Sequence, residues 1–292
     1  MKKQDKTCAI IIPIYEDDFN IITKTSFDSL LKNSSDYTKN NYPIILIGPK
    51  KLEKRIDELS NYLNRDFYVS SHLFDDRFFE STKSYSELLK SYEFYKSFEK
   101  YDYILIYQTD CIMIHDDLTE WINKDYDYIG GAILAKYAGW RQVPVVGNGG
   151  CSLRKMSYFL DVTNPKGKFL KKYKEQIENS KSVNGNGYED FEDLYFAELI
   201  AYYYGMNRPH FKEALTFAFD MNPDIALNIK NSPGKLPSFL HAFDKNLRWY
   251  DKKTDIKKFI EDYESLYEAC EEKHKELHET YMKDENDPKS YE

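Results

Sequence analysis

Tyr103-Ile-Leu-Ile-Tyr-Gln-Thr-Asp110 is the stretch on which the fold turns. An unbroken apolar run ends at Tyr107, and a polar triplet carrying a carboxylate follows at once. A run without polar alternation is the pattern of a strand covered on both faces, as parallel strands are. In open α/β sheets, ligands gather outside the carboxyl ends of the strands. A carboxylate placed there can hold a hard cation, which in turn bridges phosphate oxygens. An aspartate after a strand can equally be a turn residue or a helix cap. Asp110 therefore needs support from the rest of the chain.

Upstream, Cys8-Ala-Ile-Ile-Ile-Pro-Ile-Tyr15 is a second apolar run and predicts the first strand. Phe27–Leu31 predicts a short helix. Tyr42–Ile47 predicts another strand, closed by the turn pair Gly48-Pro49. Leu52, Ile56, Leu59 and Leu63 recur at helical spacing, and a short strand is expected near Phe67–Ser70. Tyr85, Leu88, Leu89, Tyr92 and Tyr95 mark one face of a further helix. Strands alternating with helices argue for a parallel sheet wrapped by helices, an α/β fold.

Downstream of Asp110 the pattern changes. Strands are expected at Tyr128–Leu134, Val143–Val146 and Ala214–Phe219, and helices at Phe169–Ile177 and Phe191–Tyr204. A loop with Gly139 and Trp140 lies among them, and Asn231–Pro237 is rich in Pro and Gly. From Lys252 to about Met282 the chain is charged with helical spacing, and its last ten or so residues have the composition of disorder. The organisation expected is one domain over residues 1–250, with a nucleotide-binding half to about Ile114 and an acceptor-facing half after it. Residues 251–292 form a helical extension with a disordered end.

The totals exclude several function classes. The chain has 292 residues and a formal net charge of -8, without the basic face that a nucleic-acid partner requires. Its four cysteines, Cys8, Cys111, Cys151 and Cys270, have no C-x-x-C spacing, so neither a zinc site nor a redox pair is indicated. Three of them lie in or beside apolar runs, where a thiol behaves as a small hydrophobe and fits a reducing compartment. Cys8–Ile14 is too short to span a bilayer and lacks a signal-peptide cleavage pattern. A cytoplasmic protein is expected, with at most a peripheral membrane association. Most of the 26 tyrosines read as core residues standing in for Phe or Leu.

Three further segments can carry chemistry. Gly147-Asn-Gly-Gly-Cys-Ser-Leu-Arg154 is a glycine-rich turn through which backbone can approach a ligand, or simply a tight turn. It lacks the G-x-G-x-x-G spacing of a dinucleotide site. Gly187-Tyr-Glu-Asp-Phe-Glu-Asp-Leu-Tyr-Phe196 crowds Glu189, Asp190, Glu192 and Asp193 at the start of an amphipathic helix. Acidic residues there can serve the helix dipole, or one can act as general base toward an acceptor hydroxyl. Asp193 stands next to Leu194, where desolvation raises a carboxyl pKa toward a useful value. Pro237-Ser-Phe-Leu-His241-Ala-Phe243 ends an extended apolar stretch on a histidine that is either packed or a ligand.

The order Ile12-Pro-Ile-Tyr15, Tyr85-Ser-Glu-Leu-Leu89, Tyr107-Gln-Thr-Asp110, Tyr126-Asp-Tyr-Ile-Gly130, Gly147-Asn-Gly-Gly-Cys-Ser-Leu-Arg154, Glu192-Asp-Leu-Tyr-Phe196 and His241-Ala-Phe243 resembles the glycosyltransferase-like family catalogued as domain of unknown function 5672. The resemblance covers residues 8–245 and rests on the combination, since no single motif is specific. That family is similar to GT-A glycosyltransferases, in which an acidic D-x-D-like triplet ends a strand and holds Mn2+ or Mg2+ on the donor diphosphate. The resemblance implies a nucleotide-sugar donor, a glycan or lipid-linked acceptor, and surface polysaccharide or glycolipid assembly. It implies Pro13 and Tyr15 in the nucleoside pocket, with Tyr85 also in the donor-binding set. Asp110 becomes the metal-facing carboxylate with Gln108 at the first triplet position, and His241 a late metal ligand. Gly149 and Gly150 face donor or acceptor sugar, and Glu192 and Asp193 face the acceptor, with Asp193 or else Glu192 as base. One departure matters. Gln108 replaces the first Asp of the triplet, and a neutral amide is a weaker ligand for a hard cation. Two rivals stand beside this reading. A catalytically degenerate scaffold that binds a sugar nucleotide or glycan is kept alive by Gln108. A nucleotidyltransferase needs a glycine-rich loop after the first strand, where this chain has the acidic Tyr15-Glu-Asp-Asp-Phe19.

Overall fold

Successive residues of the first strand feed opposite faces of one sheet. In the computed structural model, which describes residues 6–133, 145–180, 191–220, 223–230 and 235–275, that strand is β1 (Cys8–Pro13). Cys8, Ile10 and Ile12 pack into one core cluster, while Ala9 and Ile11 pack into another. Side chains alternate across a strand, so burial on both faces demands the continuous apolar run seen in the sequence.

The main sheet contains β2 (Ile44–Pro49), β3 (Val69–Phe74) and β4 (Tyr103–Tyr107) beside β1. Four short strands follow as β5 (Ile112–Met113), β6 (Tyr128–Gly130), β7 (Ala132–Ile133) and β8 (Val145–Val146). The last three are β9 (Cys151–Lys155), β10 (Ala218–Phe219) and β11 (Phe239–Leu240). The order in the large sheet is β3-β2-β1-β4-β9-β6. The first four strands run parallel, with Ile10 opposite Ile44 and Cys8 opposite Tyr103. β9 enters antiparallel, with Tyr107 opposite Cys151. This register brings the glycine-rich turn before β9 to the carboxyl end of β4. A smaller sheet, β10-β11-β5, carries the chain just after Asp110 against the late apolar stretch around Phe239. β7 and β8 pair antiparallel.

Helices cover both faces. On one side lie Ile21–Asn33 and Glu53–Leu63. Asn20 starts the first of these by accepting hydrogen bonds from the backbone N–H groups of Ile22 and Thr23, at 3.0 and 3.1 Å. On the other side lie Thr82–Lys90, Tyr92–Lys96 and Met156–Thr163. The helical face read from Tyr85 to Tyr95 is therefore split at Ser91, whose side chain caps the second piece. A third cluster joins Ile22 to Phe243, Tyr250 and Leu266, and so packs the C-terminal helices Phe243–Lys253 and Tyr263–Lys273 against the first helix. Asp244, almost wholly buried, fastens them through Lys273 and His274 at 3.0 and 2.8 Å.

Several expectations are corrected. Ala214–Phe219 is mostly helix, over Phe211–Phe217, with only its last two residues in β10. A short apolar run has no period that separates helix from strand, and here Ala214, Leu215 and Phe217 are all buried. Tyr128–Leu134 breaks at Gly131 into strands of two sheets, with Leu134 outside the described residues. The Phe191–Tyr204 helix contains a π-helical turn at Tyr195–Ile200 and stops at Gly205, whose φ of +83° favours glycine. The helices Met156–Thr163 and Phe243–Lys253 were not expected. Gly139, Trp140, Val143, Glu189, Asp190 and the tail beyond residue 275 lie outside the described residues. Among those described, no helix is long and apolar enough to cross a membrane.

Candidate active site

The polar triplet leaves β4 as a tight turn, because the Cys111 N–H donates back to the Gln108 carbonyl at 2.9 Å. The Gln108 N–H donates to the Gly150 carbonyl at 3.0 Å, extending the β4–β9 pairing by one residue. The Gln108 side chain is fixed at both ends. Its Nε2 donates to the Tyr15 hydroxyl at 3.0 Å, and its Oε1 lies 3.1 Å from His241 Nε2. Tyr15 in turn meets the Tyr85 ring edge-on at 5.1 Å, and Pro13 is buried at the end of β1. Tyr15, Tyr85 and Gln108 thus lie together with Asp110 at the carboxyl end of the parallel strands, beyond Pro13 at the end of β1.

His241 follows β11 and arrives at the same place. Ala242 after it adopts the left-handed region at φ 49°, turning the chain sharply into Phe243–Lys253. For a residue with a side chain that conformation is strained, as is common at functional sites. His241 Nδ1 lies 2.8 Å from Asp220 Oδ1, and Nε2 lies 3.5 Å from Asp110 Oδ1. Burial works against a charge on the imidazole. The Asp110 charge and the Asp220 hydrogen bond outweigh it and raise the pKa to about 10. Asp110 Oδ1 is itself buried without any hydrogen-bond partner among the described residues. The imidazolium 3.5 Å away balances its charge without hydrogen-bonding it, which leaves the oxygen open to a bound cation.

The residues fit a divalent cation. Gln108 Oε1, Asp110 Oδ1 and His241 Nε2 converge, with the nitrogen 3.1 and 3.5 Å from the two oxygens. Ligands about 2.1 Å from an octahedral ion stand about 3 Å apart along an edge, close to these separations. Cys111 belongs to the same cluster. Burial pushes its thiol well up, so it stays protonated, and its Sγ contacts the Gly150 carbonyl at 3.5 Å. A buried thiol is a poor donor for Mn2+ or Mg2+.

A second cluster lies on the other side of the glycine turn. Arg154 is wholly buried. Its Nη2 pairs with Glu192 Oε1 at 2.6 Å and donates to the Gly149 carbonyl at 3.3 Å. Its Nη1 donates to the Tyr95 hydroxyl at 2.9 Å and its Nε to Ser152 Oγ at 3.0 Å. Glu192 is thereby occupied. Asp193 is only partly buried, and its Oδ1 accepts from the Leu194 N–H at 2.7 Å. Burial, then the neighbouring Glu192 charge, raise its carboxyl to about 7, while the Leu194 and Gly149 N–H groups oppose the shift.

Two adjacent glycines join the clusters. A Cβ on Gly149 would stand 2.1 Å from Glu192 Oε1, and one on Gly150 would stand 2.1 Å from His241 Nε2 and 2.6 Å from Gln108 Oε1. Only glycine permits this approach. The sequence reading singled out both glycines, read Asn148 only as part of their motif, and missed Asp220. Asn148 Nδ2 donates to Asp220 Oδ2 at 3.1 Å, while its Oδ1 accepts from the Gly150 N–H at 2.9 Å. No local pattern distinguishes Asp220 from the other acidic residues. Arg154 was read as part of a motif without a role.

A family model described as "Protein of unknown function (DUF5672)" matches residues 68–241, more than half of the chain. The chain belongs to that family. The match runs from the start of β3 to His241 and so includes both clusters. No curated protein matches the chain. Among solved structures, the apo form of the glycosyltransferase GlyE of Streptococcus pneumoniae is similar at TM-score 0.50 and 16% identity, over 92% of this chain and 64% of that one. This DUF5672 member thus spans less than two thirds of the length of GlyE. Mouse xyloside xylosyltransferase 1, also apo, is similar at TM-score 0.51 and 11% identity, over 82% of this chain and 98% of that one. At such identities the likeness speaks to the fold, and that fold is of the GT-A type.

Proposed function

We propose that this chain is a glycosyltransferase that moves a sugar from a nucleotide diphosphate sugar to a hydroxyl acceptor. The observation that carries the reading is the buried Asp110 Oδ1 at the carboxyl end of the parallel strands, without a hydrogen-bond partner among the described residues and 3.5 Å from His241 Nε2, which also meets Gln108 Oε1. Such an edge is where α/β sheets take their ligands. Asp110, His241 and Gln108 would hold Mn2+ or Mg2+. That ion supplies electrostatic stabilisation to a departing diphosphate. Tyr15, Tyr85 and Pro13 bound the donor side.

Asp193 acts as the general base toward the acceptor hydroxyl. A carboxyl raised to about 7 can hold a proton taken from an alcohol and release it again near neutral pH. Glu192 is the weaker candidate, since its Oε1 is committed to Arg154. A base acting on the acceptor in a single displacement corresponds to inversion at the anomeric carbon. The donor is a hexose or a related sugar, and the setting is surface polysaccharide or glycolipid assembly.

One observation keeps a second reading in play. Gln108 stands where a second carboxylate would bind a hard cation more firmly, so a scaffold that binds a sugar nucleotide without turning it over shares every feature of the donor side. The deciding experiment is a thermal-shift screen of nucleotide sugars with and without Mn2+, followed by mass spectrometry of hits incubated with hydroxyl acceptors. A ligand that binds only the folded state raises the melting temperature. Transfer of the sugar to an acceptor establishes the enzyme, shifts without transfer to any acceptor favour the scaffold, and no shift with any donor ends both readings.

A further inference from the structure

His241 has two faces, and only one of them meets the cation cradle. Nδ1 is turned away from it, 2.8 Å from Asp220 Oδ1. Nε2 is turned toward Gln108 Oε1 and Asp110 Oδ1. Asp220 is itself held: it is 8% exposed, follows β10 directly, and its second oxygen accepts from Asn148 Nδ2 at 3.1 Å. The backbone supports the same placement, since the His241 N–H donates to the Phe219 carbonyl at 2.9 Å.

We propose that Asp220 is a positioning residue: it holds the His241 imidazole with its proton on Nδ1, so that the Nε2 lone pair faces a divalent cation shared with Asp110 and Gln108. The physical argument is tautomeric. A neutral imidazole has one N–H and one lone pair. A carboxylate accepts hydrogen bonds and cannot donate one, so its partner nitrogen must carry the proton. Nε2 also faces acceptors, Gln108 Oε1 and Asp110 Oδ1, so a cation taken up there displaces the Nε2 proton to solvent; the proton held by Asp220 stays on Nδ1, and Nε2 is then the ligand nitrogen. The same bond fixes the ring plane and raises the basicity of Nε2, which is how outer carboxylates tune histidine ligands elsewhere. The Asn148 bridge extends the device to the glycine turn, because the Gly150 N–H on Asn148 Oδ1 ties the backbone beside the ring to the residue that orients it.

The inference rests on the metal-binding part of the proposed function and needs no turnover. The test is Mn2+ binding to the full chain by calorimetry, without nucleotide, in a double-mutant cycle. Wild type, Asp220→Asn, His241→Ala and the double variant are compared. An asparagine can offer its amide N–H to Nδ1 and so favour the wrong tautomer. Asp220→Asn should weaken Mn2+ binding by about 10- to 100-fold, the usual cost of losing such a partner. In the His241→Ala background the same change should have almost no further effect, since the two residues act as one unit. A merely structural role for Asp220 would lower affinity in both backgrounds. Should His241→Ala bind too weakly to measure, the imidazole nitrogen modulation of the Mn2+ spin echo decides: it should be present in wild type and lost in Asp220→Asn. Wild-type affinity in Asp220→Asn, an equal loss in both backgrounds, or a folded wild type that binds no Mn2+ would each overturn the proposal. Sugar transfer that persists without Mn2+ binding would leave the glycosyltransferase reading standing while this one fails.

Discussion

The two polar clusters on either side of Gly149 and Gly150 are built on opposite rules. Around Arg154 every guanidinium nitrogen finds an acceptor inside the fold, in Glu192, Gly149, Tyr95 and Ser152. Around His241 one carboxylate oxygen, Asp110 Oδ1, has no hydrogen-bond partner among the described residues. A closed network rigidifies its surroundings. An open one keeps interaction energy for a ligand, at a cost to the unliganded fold. From the contrast we infer that Arg154 and Glu192 hold the glycine turn while Asp110 and His241 are left to bind a ligand. Asp193 lies between the two: partly buried, next to the closed cluster, and raised in pKa by burial and then by the Glu192 charge.

The largest effect should come from the closed cluster. Arg154→Met leaves Glu192 as a buried charge without its partner, and breaking such a pair costs about 3–5 kcal/mol. Urea unfolding should report a loss of that size. A loss under about 1 kcal/mol would mean that Glu192 finds water or another donor, and the closed cluster would lose its structural role.

Asp110→Asn probes the open cluster and should invert the pattern. Stability should change little, because loss of the ion pair with His241 offsets the removal of a buried carboxylate oxygen that has no hydrogen-bond partner among the described residues. Donor turnover should fall by about two to three orders of magnitude, since stabilisation of a leaving diphosphate is worth several kcal/mol. Unfolding and single-turnover kinetics on the same preparation check both halves. A variant that unfolds easily yet turns over normally would place Asp110 in the scaffold.

The smallest of the three concerns Asp193. Asp193→Asn keeps the shape and should lower kcat by about two orders of magnitude, as removal of a general base commonly does. The wild-type rate should rise with pH through about 7 as this carboxyl loses its proton, and the variant should lose that limb. Stability carries the opposite sign. The folded carboxyl titrates at about 7 and the unfolded one near the ordinary 3.8, so between them the folded state binds more protons. The contribution of Asp193 to stability therefore declines as pH rises across that window, and Asp193→Asn should flatten the decline. A pH-rate profile unchanged in the variant would move the base elsewhere.

The parallel half of the sheet was determined by sequence alone, with β4 read to the residue and β1 and β2 to within two. Strands buried on both faces must be continuously apolar, and that requirement is written locally. The carboxylate at the end of β4 and the glycines that pack against the later side chains were legible for the same reason: each is a short-range signal of a turn or a close approach. Tertiary structure alone decided which polar atoms meet. Gln108 and His241 are 133 residues apart, and Arg154 and Glu192 are 38 apart. A hydrogen bond between side chains so distant constrains neither local periodicity nor composition, so Asp220 and Asn148 gave no sign of their place. The helix over Phe211–Phe217 was hidden for a related reason. Ala214, Leu215 and Phe217 are buried and Lys212 is exposed, but the helical period begins at Phe211, before the apolar run Ala214–Phe219, and within that run alone no period separates helix from strand.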